Sequence, residues 1–316
     1  MLIATIAGSL VATHANASDS VDARARFNNE YGTASQKLKE AGGSVCFEEV
    51  QTNVRDNGNE TTEVIYRSNG ESLLYRLREK KNDGMREYVI VATPKRTFYL
   101  SKPAKQDNFV LKNLAGESEY DHAVTVIRLN ARLAFLPYCY LEMPIVDFLK
   151  QPDVSVVDVS ETDHAGARAV RVSWQRPRRM PDGREYEELG WFLLSPDDTW
   201  ALREYEVGAK GYPSRIRGVV RYGERKDNVP VASEFESWKE KDEKRSAVFS
   251  VRASKVQLTP AKPAEFTLRA FGLPEVGEVV ASSGQSMLKY WLLGLGALSG
   301  VIAASLRWYV YRKQLQ

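Results

Sequence analysis

Residues 186–207 read YEELGWFLLSPDDTWALREYEV, and they contain two apolar runs joined by the turn Ser195-Pro196-Asp197-Asp198. Short runs rich in aromatic and branched side chains, bounded by Pro and Asp, predict the two strands of a β-hairpin. Charged residues alternate with apolar ones from Trp200 to Val207, which predicts an antiparallel sheet with one wet face. This stretch therefore favours a mainly β fold.

The same pattern continues on both sides of the hairpin. The other predicted strands cover 45–54, a run ending at Tyr66, 73–78, 88–91, 98–100, 154–159, 167–174, 216–222, 231–238 and 247–256. Helical spacing appears in 18–40, ended by Gly42-Gly43, in 118–136, preceded by the capping signature Ser118-x-x-Asp121, and in 143–150. These elements predict an α+β, mainly β domain that combines two or three helices with a long antiparallel meander.

The end of the chain has a different composition. Residues 290–311 read YWLLGLGALSGVIAASLRWYVY and carry no charge before Arg307. As a helix they would reach about 33 Å, enough to cross a hydrocarbon core. Lys289 precedes them, whereas Arg307, Arg312 and Lys313 follow the uncharged run. This asymmetry predicts a single-pass transmembrane helix with the tail 312–316 in the cytoplasm and the bulk of the chain on the periplasmic or extracytoplasmic side.

The start of the chain agrees with that topology. Residues 1–12 are apolar and too short to span a bilayer, and Ala15-Asn16-Ala17 fits a signal-peptidase site. We therefore expect a signal peptide at 1–17, a folded domain at 18–258 and a spacer at 259–289. The spacer is rich in Pro, Gly and Ser, and Phe266-Thr267-Leu268 is a possible last strand within it.

Charge and cysteine content exclude some classes. The whole chain has 44 basic and 41 acidic residues, and residues 18–286 retain 40 basic against all 41 acidic ones. A nearly neutral domain argues against a nucleic-acid partner. Cys46 and Cys139 are too few for a disulfide scaffold; they could pair in an oxidising compartment or remain two buried thiols.

Motifs for catalysis are missing. The sequence lacks H-E-x-x-H, C-x-x-C, G-x-S-x-G and a phosphate-binding glycine loop, so we predict no enzyme, no cofactor and no metal site. His122 and His164 are more simply surface residues than general bases. The acidic clusters within 185–188 and at Asp197-Asp198 are more simply a solvated face than a paired acid and base. A hydrolase therefore ranks last among the functions considered.

Two stretches carry a resemblance to a known family. Residues 89–100, VIVATPKRTFYL, consist of a strand, a proline turn and an aromatic strand, and residues 191–203, WFLLSPDDTWALR, form the hairpin described above. With the order of helix, meander, helical break and second meander, they resemble the periplasmic lipoprotein carriers and lipoprotein-sorting proteins. The likeness covers roughly residues 18–250 in layout. It implies a strongly curved half-barrel sheet, covered by two or three helices, whose concave face holds acyl chains.

The resemblance suggests a ligand site and a role. Seven apolar strand residues would form the inner face, either as ordinary core or as the lining of a cavity: Val89, Val91, Phe98, Leu100, Trp191, Leu193 and Trp200. Arg176, Arg178 and Arg179 lie at a hairpin tip, as a wet end or as contacts for an anionic headgroup. We expect a membrane-anchored envelope protein that binds lipid or lipoprotein acyl chains. The alternative is an extracytoplasmic protein-interaction or sensor module without a ligand cavity.

Overall fold

The structure, a computed structural model, describes residues 17–55, 58–140, 142–179, 183–242 and 244–275. The predicted transmembrane helix 290–311, the tail 312–316 and the predicted signal peptide apart from Ala17 lie outside these ranges. None of the described helices has the length and the apolar composition that crossing a bilayer requires. The chain divides into two compact units, which we call unit 1 (17–39 and 136–248) and unit 2 (40–135 and 249–275).

Strands make up most of the described chain, and helices lie at its start and in its middle. In chain order the elements are α1 (Ala17–Gly42), β1 (Cys46–Arg55), β2 (Gly58–Asn69), β3 (Ser72–Lys81), β4 (Gly84–Thr93), β5 (Arg96–Lys102), β6 (Val110–Ala115), α2 (Tyr120–Asn130), α3 (Arg132–Phe135), β7 (Cys139–Tyr140), β8 (Met143–Pro144), α4 (Ile145–Phe148), β9 (Ser155–His164), β10 (Ala167–Arg179), β11 (Glu185–Ser195), β12 (Ala201–Ala209), β13 (Ser214–Lys226), β14 (Val229–Lys241) and β15 (Lys244–Gln257). Short 3₁₀ turns lie at Glu117–Glu119, Pro196–Asp198, Pro263–Phe266 and Leu268–Phe271.

Unit 2 is an antiparallel sheet in the order β15-β1-β2-β3-β4-β5-β6. One side, the helix face, packs against α2 and α3; there Tyr66 meets the Phe135 ring at a centroid distance of 5.6 Å. The other side, the strap face, is covered by residues 259–275, which we call the strap. The strap buries Ala261, Phe266 and Leu268 against the sheet, so apolar side chains are removed from water on both faces.

Unit 1 is a second antiparallel meander, in the order β14-β13-β12-β11-β10-β9. One of its faces is covered by α1 and by the segment from β7 to α4. There Trp174 stacks on Phe192 and meets Phe148 edge to face, with centroid distances of 5.8 and 4.8 Å. The opposite face, the open face, carries Trp191 among charged side chains. The one-sided cover explains why this sheet alternates apolar and charged residues.

The predicted mainly β, antiparallel class is confirmed, and the helix at 18–40 is present as α1. The single helix predicted over 118–136 is wrong, because the helix is interrupted at Ala131. Two side chains of β1 pair with the backbone there: Gln51 Nε2 donates to the Asn130 carbonyl (2.6 Å), and Glu49 accepts from the Leu133 N–H (3.3 Å). These bonds replace those that a continuous helix would make.

Three smaller expectations are also corrected or resolved. The Ser118-x-x-Asp121 signature does not cap α2, whose N-cap is Glu119 without a side-chain cap bond. Phe266-Thr267-Leu268 is not a strand, because Thr267 instead caps the second 3₁₀ turn of the strap by accepting from the Ala270 N–H. Cys46 and Cys139 are both buried and neither forms a disulfide.

Candidate functional site

Four of the seven predicted ligand-binding residues lie together on the strap face of unit 2. They are Val89, Val91, Phe98 and Leu100, and each exposes 2% or less of its surface. The strap residues Ala261, Phe266 and Leu268 pack against this group. The strap thus takes the position expected for an acyl chain, and on this face the four side chains are ordinary core.

The other three predicted residues lie in unit 1 and do not join the first four. Trp191 and Leu193 are predicted for the inner face, but Phe192 and Leu194, which are fully buried, lie on the covered face of unit 1. Leu193 is 6% exposed and pairs with Glu204 of β12. Trp191 lies on the open face, under the guanidinium of Arg171.

Trp200 is an anchor for α1. Its ring packs beside Phe27 and Tyr31, at centroid distances of 5.8 and 6.1 Å, and its Nε1 donates to Glu30 (3.1 Å). The side chain is 2% exposed, so its contacts are with helix residues of its own unit. Trp200 therefore serves packing in this structure.

The predicted headgroup arginines divide into one buried and two exposed side chains. Arg176 is 6% exposed; its Nε lies 2.5 Å from Glu188 Oε2, and its guanidinium lies 4.9 Å from the Phe148 ring centroid. The expectation that Arg176 reaches a headgroup is therefore corrected. Arg178 and Arg179 remain exposed near the hairpin end.

A cavity of about 660 Å³ opens on the other side of the strands that carry Val89 and Leu100. Its volume lies in the range of small-molecule sites. Val89 and Leu100 contribute to its floor. The apolar and aromatic residues of its wall come from β4, β5 and the turn that follows β5, and they are Tyr88, Ile90, Tyr99, Pro103 and Ala104. Tyr88 is 41% exposed, and burial raises the pKa of Tyr99.

Strand alternation and one glycine turn together form this cavity. Tyr88, Ile90 and Tyr99 alternate with core residues on the strap face, so they project to the helix face. The turn after β5 folds back until Ala104 lies 3.2 Å from the position of a β-carbon on Gly84. Gly84 has φ +127, which favours glycine, and it leaves room for this turn to form one wall.

The rim of the cavity is cationic. Four basic side chains line it, with Asp83 as the acidic one: Arg86, Lys102, Lys105 and Lys112. Arg86 forms a salt bridge with Asp83 (2.7 Å), and Lys102 Nζ lies 3.8 Å from Glu87 Oε1. Among the described residues, no carboxylate forms a salt bridge with Lys105 or Lys112. The rim therefore offers unneutralised positive charge beside apolar walls.

Lys112 reaches this rim through an irregularity in β6. Tyr99 pairs with Asn113 and Leu100 with Leu111, so Lys112 is an extra residue on β6 with no partner in the register. A bulge of this kind re-aims a side chain and recurs beside binding sites. Lys112 is absent from the residues predicted for the site because the bulge has no signature in the local sequence.

Side chains suited to catalysis are not assembled in the described part of the chain. His122 is exposed, and His164 Nε2 lies 3.6 Å from Glu204. Three carboxylates of the acidic clusters, those of Glu187, Glu188 and Asp198, are held in ion pairs, such as Glu187 with Lys210 at 2.6 Å. No group of three potential ligands in that part is placed to hold a metal ion.

Asp198 shows how one of these acidic clusters is used. Partial burial would raise the pKa of Asp198, but hydrogen bonds from Arg225 and Ser195 and the charge of Arg203 outweigh burial and hold the pKa below its ordinary value. An anion held between two guanidiniums fixes the turn between β11 and β12. This carboxylate is therefore structural.

The chain is similar to several solved structures whose sequence identity to it is low. A DUF1329 family protein from Desulfovibrio piger is 10% identical, over 78% of this chain and 98% of that protein, with a TM-score of 0.40. A putative outer membrane lipoprotein-sorting protein domain from Vibrio parahaemolyticus is 9% identical over 77% and 97%, with a TM-score of 0.36. A LolA superfamily protein from Nitrosomonas europaea is 7% identical over 75% and 97%, with a TM-score of 0.39.

Two of these structures carry the lipoprotein-sorting or LolA names of the group that the sequence resembles. No protein-family model and no curated protein matches the chain. Because all three TM-scores lie below 0.5, function has to be argued from this chain's own side chains.

Proposed function

We propose that this chain binds the acyl chain of an anionic lipid or a lipoprotein in the cavity of unit 2, without catalysis. The observation that carries the proposal is the combination of apolar walls with a cationic rim. Tyr88, Ile90 and Tyr99 would contact the hydrocarbon, since burial of apolar surface is the main source of affinity for an acyl chain. Lys105 and Lys112 would contact the headgroup by charge-assisted hydrogen bonds.

The cavity differs from the one that the resemblance suggested. An acyl chain on the strap face would have to displace the strap, whereas the cavity on the helix face is open beside the exposed Tyr88. Val89 and Leu100 belong to both arrangements, because they pack under the strap and also line the floor of the cavity. We place the ligand on the helix face for this reason.

The proposal includes a location at the membrane. The apolar run 290–311 and its basic flank would hold the bulk of the chain close to a bilayer on the extracytoplasmic side. A tether raises the local concentration of lipid, so even a binding site of low affinity would be occupied. Capture or sensing of lipid at one membrane suits such a protein better than transport between two.

Photolabelling tests the proposal at the level of residues. The full chain is reconstituted in phosphatidylcholine nanodiscs with palmitic acid that carries a diazirine, irradiated and digested, and the labelled peptides are identified by mass spectrometry. We expect labels in residues 88–112. The double variant Lys105→Glu, Lys112→Glu should lower labelling there by about tenfold, the loss of one or two charge-assisted contacts.

Controls separate binding from general membrane contact. The double variant Lys37→Glu, Lys95→Glu removes two exposed lysines that do not line the cavity, and it should label like the unchanged chain. Ile90→Trp fills the cavity and should compete with the label. Labelling confined to residues 287–316, or equal in all variants, would exclude this site. Competition by phosphatidylglycerol or by an acylated peptide then distinguishes a lipid from a lipoprotein ligand.

A further inference from the structure

A row of side chains crosses the open face of unit 1 at right angles to the strands. Trp191 on β11 pairs with Glu206 on β12, Glu206 pairs with Arg217 on β13, and Arg217 pairs with Trp238 on β14. Residues in register project to the same face of a sheet. Aromatic and charged side chains therefore alternate along one line.

Guanidiniums stack on both indoles of this row. Arg171 lies 4.7 Å from the ring centroid of Trp191, and Arg245 lies 4.0 Å from that of Trp238. Arg217 lies between the two indoles, at 5.8 and 6.0 Å, and it is held by Glu204 at 2.8 Å. Stacking of this kind fixes the plane of a guanidinium while its N–H edge stays accessible.

The two outer arginines differ from the central one in their partners. Within the described residues, neither Arg171 nor Arg245 forms a salt bridge with a carboxylate, and both side chains are exposed. An oriented guanidinium without a carboxylate is suited to receive one from another molecule. The open face therefore carries an exposed guanidinium without a carboxylate partner at each end of the row.

A cavity of about 350 Å³ lies next to the Arg171 end of the row. Three exposed apolar side chains surround it: Val157, Leu189 and Tyr212 expose 57, 37 and 53% of their surfaces. Gly208 and Arg215 also line it, and a β-carbon at Gly208 would lie 3.1 Å from the Arg215 side chain. Clustered exposed apolar groups of this kind mark contact sites.

The length of the row decides what kind of ligand fits. Arg171 and Arg245 stack on indoles of β11 and β14, which are three strand spacings or about 14 Å apart, the span of roughly four residues of extended polypeptide. One small amphiphile has a single anionic group and cannot reach both Arg171 and Arg245. An extended peptide can present several carboxylates and one apolar side chain at once.

We propose that the open face of unit 1 is a docking surface for an extended acidic polypeptide segment, with carboxylates at Arg171 and Arg245 and one large apolar side chain in the cavity beside Trp191. This site lies in unit 1 and uses none of the residues of the proposed lipid cavity. The two proposals therefore stand or fall independently.

Peptide selection tests the docking surface without knowledge of the partner. A phage-displayed library of random dodecapeptides is selected on the full chain in nanodiscs, and empty nanodiscs remove background binders. We expect the enriched peptides to be acidic and to share one aromatic or large aliphatic residue. The most enriched peptide is then labelled with fluorescein and its affinity is measured by fluorescence anisotropy.

Matched variants locate the binding. Arg171→Gln with Arg245→Gln should weaken binding by at least about tenfold, and Gly208→Leu, which fills the cavity, should do the same. Both arginines are exposed, so the double variant tests the site even if Gly208→Leu fails to fold. Lys105→Gln with Lys112→Gln removes the same charge from unit 2 and should leave the affinity unchanged. Binding should also weaken with added salt.

Three results would overturn the docking surface. They are the absence of any enriched peptide, enrichment of peptides without an acidic excess, and equal binding by the double arginine variant and the unchanged chain. Loss of binding in the lysine variant instead would assign the peptides to the cavity of unit 2.

Discussion

Glu49 on β1 accepts a hydrogen bond from the backbone N–H of Leu133 (3.3 Å), so one carboxyl group fastens α3 to the sheet of unit 2. Glu49 is 1% exposed. Burial raises the pKa of Glu49 from 4.5 to about 7, against the opposing effects of its hydrogen bonds with Gln51 and Leu133 and of the charge of Arg132.

We expect this carboxyl to make the stability of unit 2 depend on pH. The folded state holds the proton more tightly than the unfolded state, so the contribution is complete below about pH 4.5 and is lost as the pH rises to about 7. The free energy of unfolding should fall by roughly 3 kcal/mol over this range. Urea unfolding at pH 5 and pH 8 measures the difference.

Glu49→Gln should remove most of that pH dependence, because the amide has no charge to bury. Its neighbour Glu48 projects to the opposite face and is half-buried, so Glu48→Gln serves as the control and should keep the dependence. Identical pH profiles for Glu49→Gln and the unchanged chain would show that another group titrates.

Gly190 provides space for the indole of Trp174. A β-carbon at Gly190 would collide with that ring and lie 2.7 Å from the Glu206 carbonyl oxygen. Gly190→Ala should therefore destabilise the protein by about 1–3 kcal/mol, the cost of overpacking a core. Gly32→Ala is the matched control. Gly32 lies in α1 with nothing within 4 Å of that position, and its replacement should stabilise by roughly 0.5–1 kcal/mol.

Arg176 and Arg178 both lie near Glu188, but they differ in burial. The side chain of Arg176 is 7% exposed, whereas that of Arg178 is 45% exposed. Arg176→Met should cost about 3 kcal/mol or more, because Glu188 loses its main partner in a poorly solvated position. Arg178→Met should change stability by less than about 1 kcal/mol.

The double variant Arg176→Met, Glu188→Leu refines this test. Removing both charges should recover much of the stability that Arg176→Met loses, since no carboxylate is then left without a partner. If the double variant is as unstable as the single one, the stacking of Arg176 on Phe148 matters more than the ion pair.

Phe266 tests whether the strap belongs to the folded unit. Its side chain is 3% exposed and packs in the core that contains Phe98 and Leu100. Phe266→Ala should lower the free energy of unfolding by about 3–5 kcal/mol. The half-buried Leu273 should lose less when truncated. A spacer without packing would give no loss at either position, and thermal unfolding distinguishes the two cases.

Alternation and turn residues predicted most of the strands, because period-2 patterning and Asn, Asp, Gly and Pro turns are local properties. They did not predict β6, nor the two-residue strands β7 and β8. They could not predict which face of β11 is buried. Residues 191–194 are a continuous apolar run, WFLL, so either phase fits the sequence. Phe192 is chosen by contact with Tyr140 and Phe148, which lie more than forty residues earlier in the chain.

Partners distant in sequence also explain the other differences. Arg176 looks solvated beside Arg178 and Arg179, and its carboxylate partner Glu188 lies across the hairpin. The cavity of unit 2 combines strand residues with Lys105 from a turn and Lys112 from a bulge, which no spacing rule connects. The prediction of an apolar ligand site named two residues of that cavity, Val89 and Leu100.

Unit 2 is built from two parts of the chain that are synthesised far apart in time. Ser254 Oγ on β15 donates to the Glu48 carbonyl on β1, a contact between residues 206 positions apart. The strap follows β15, so β1 to β6 emerge from the ribosome long before their core can close. Such non-local closure makes folding slow and leaves apolar strands exposed meanwhile. We therefore expect the nascent chain to require chaperones until residue 268 has been added.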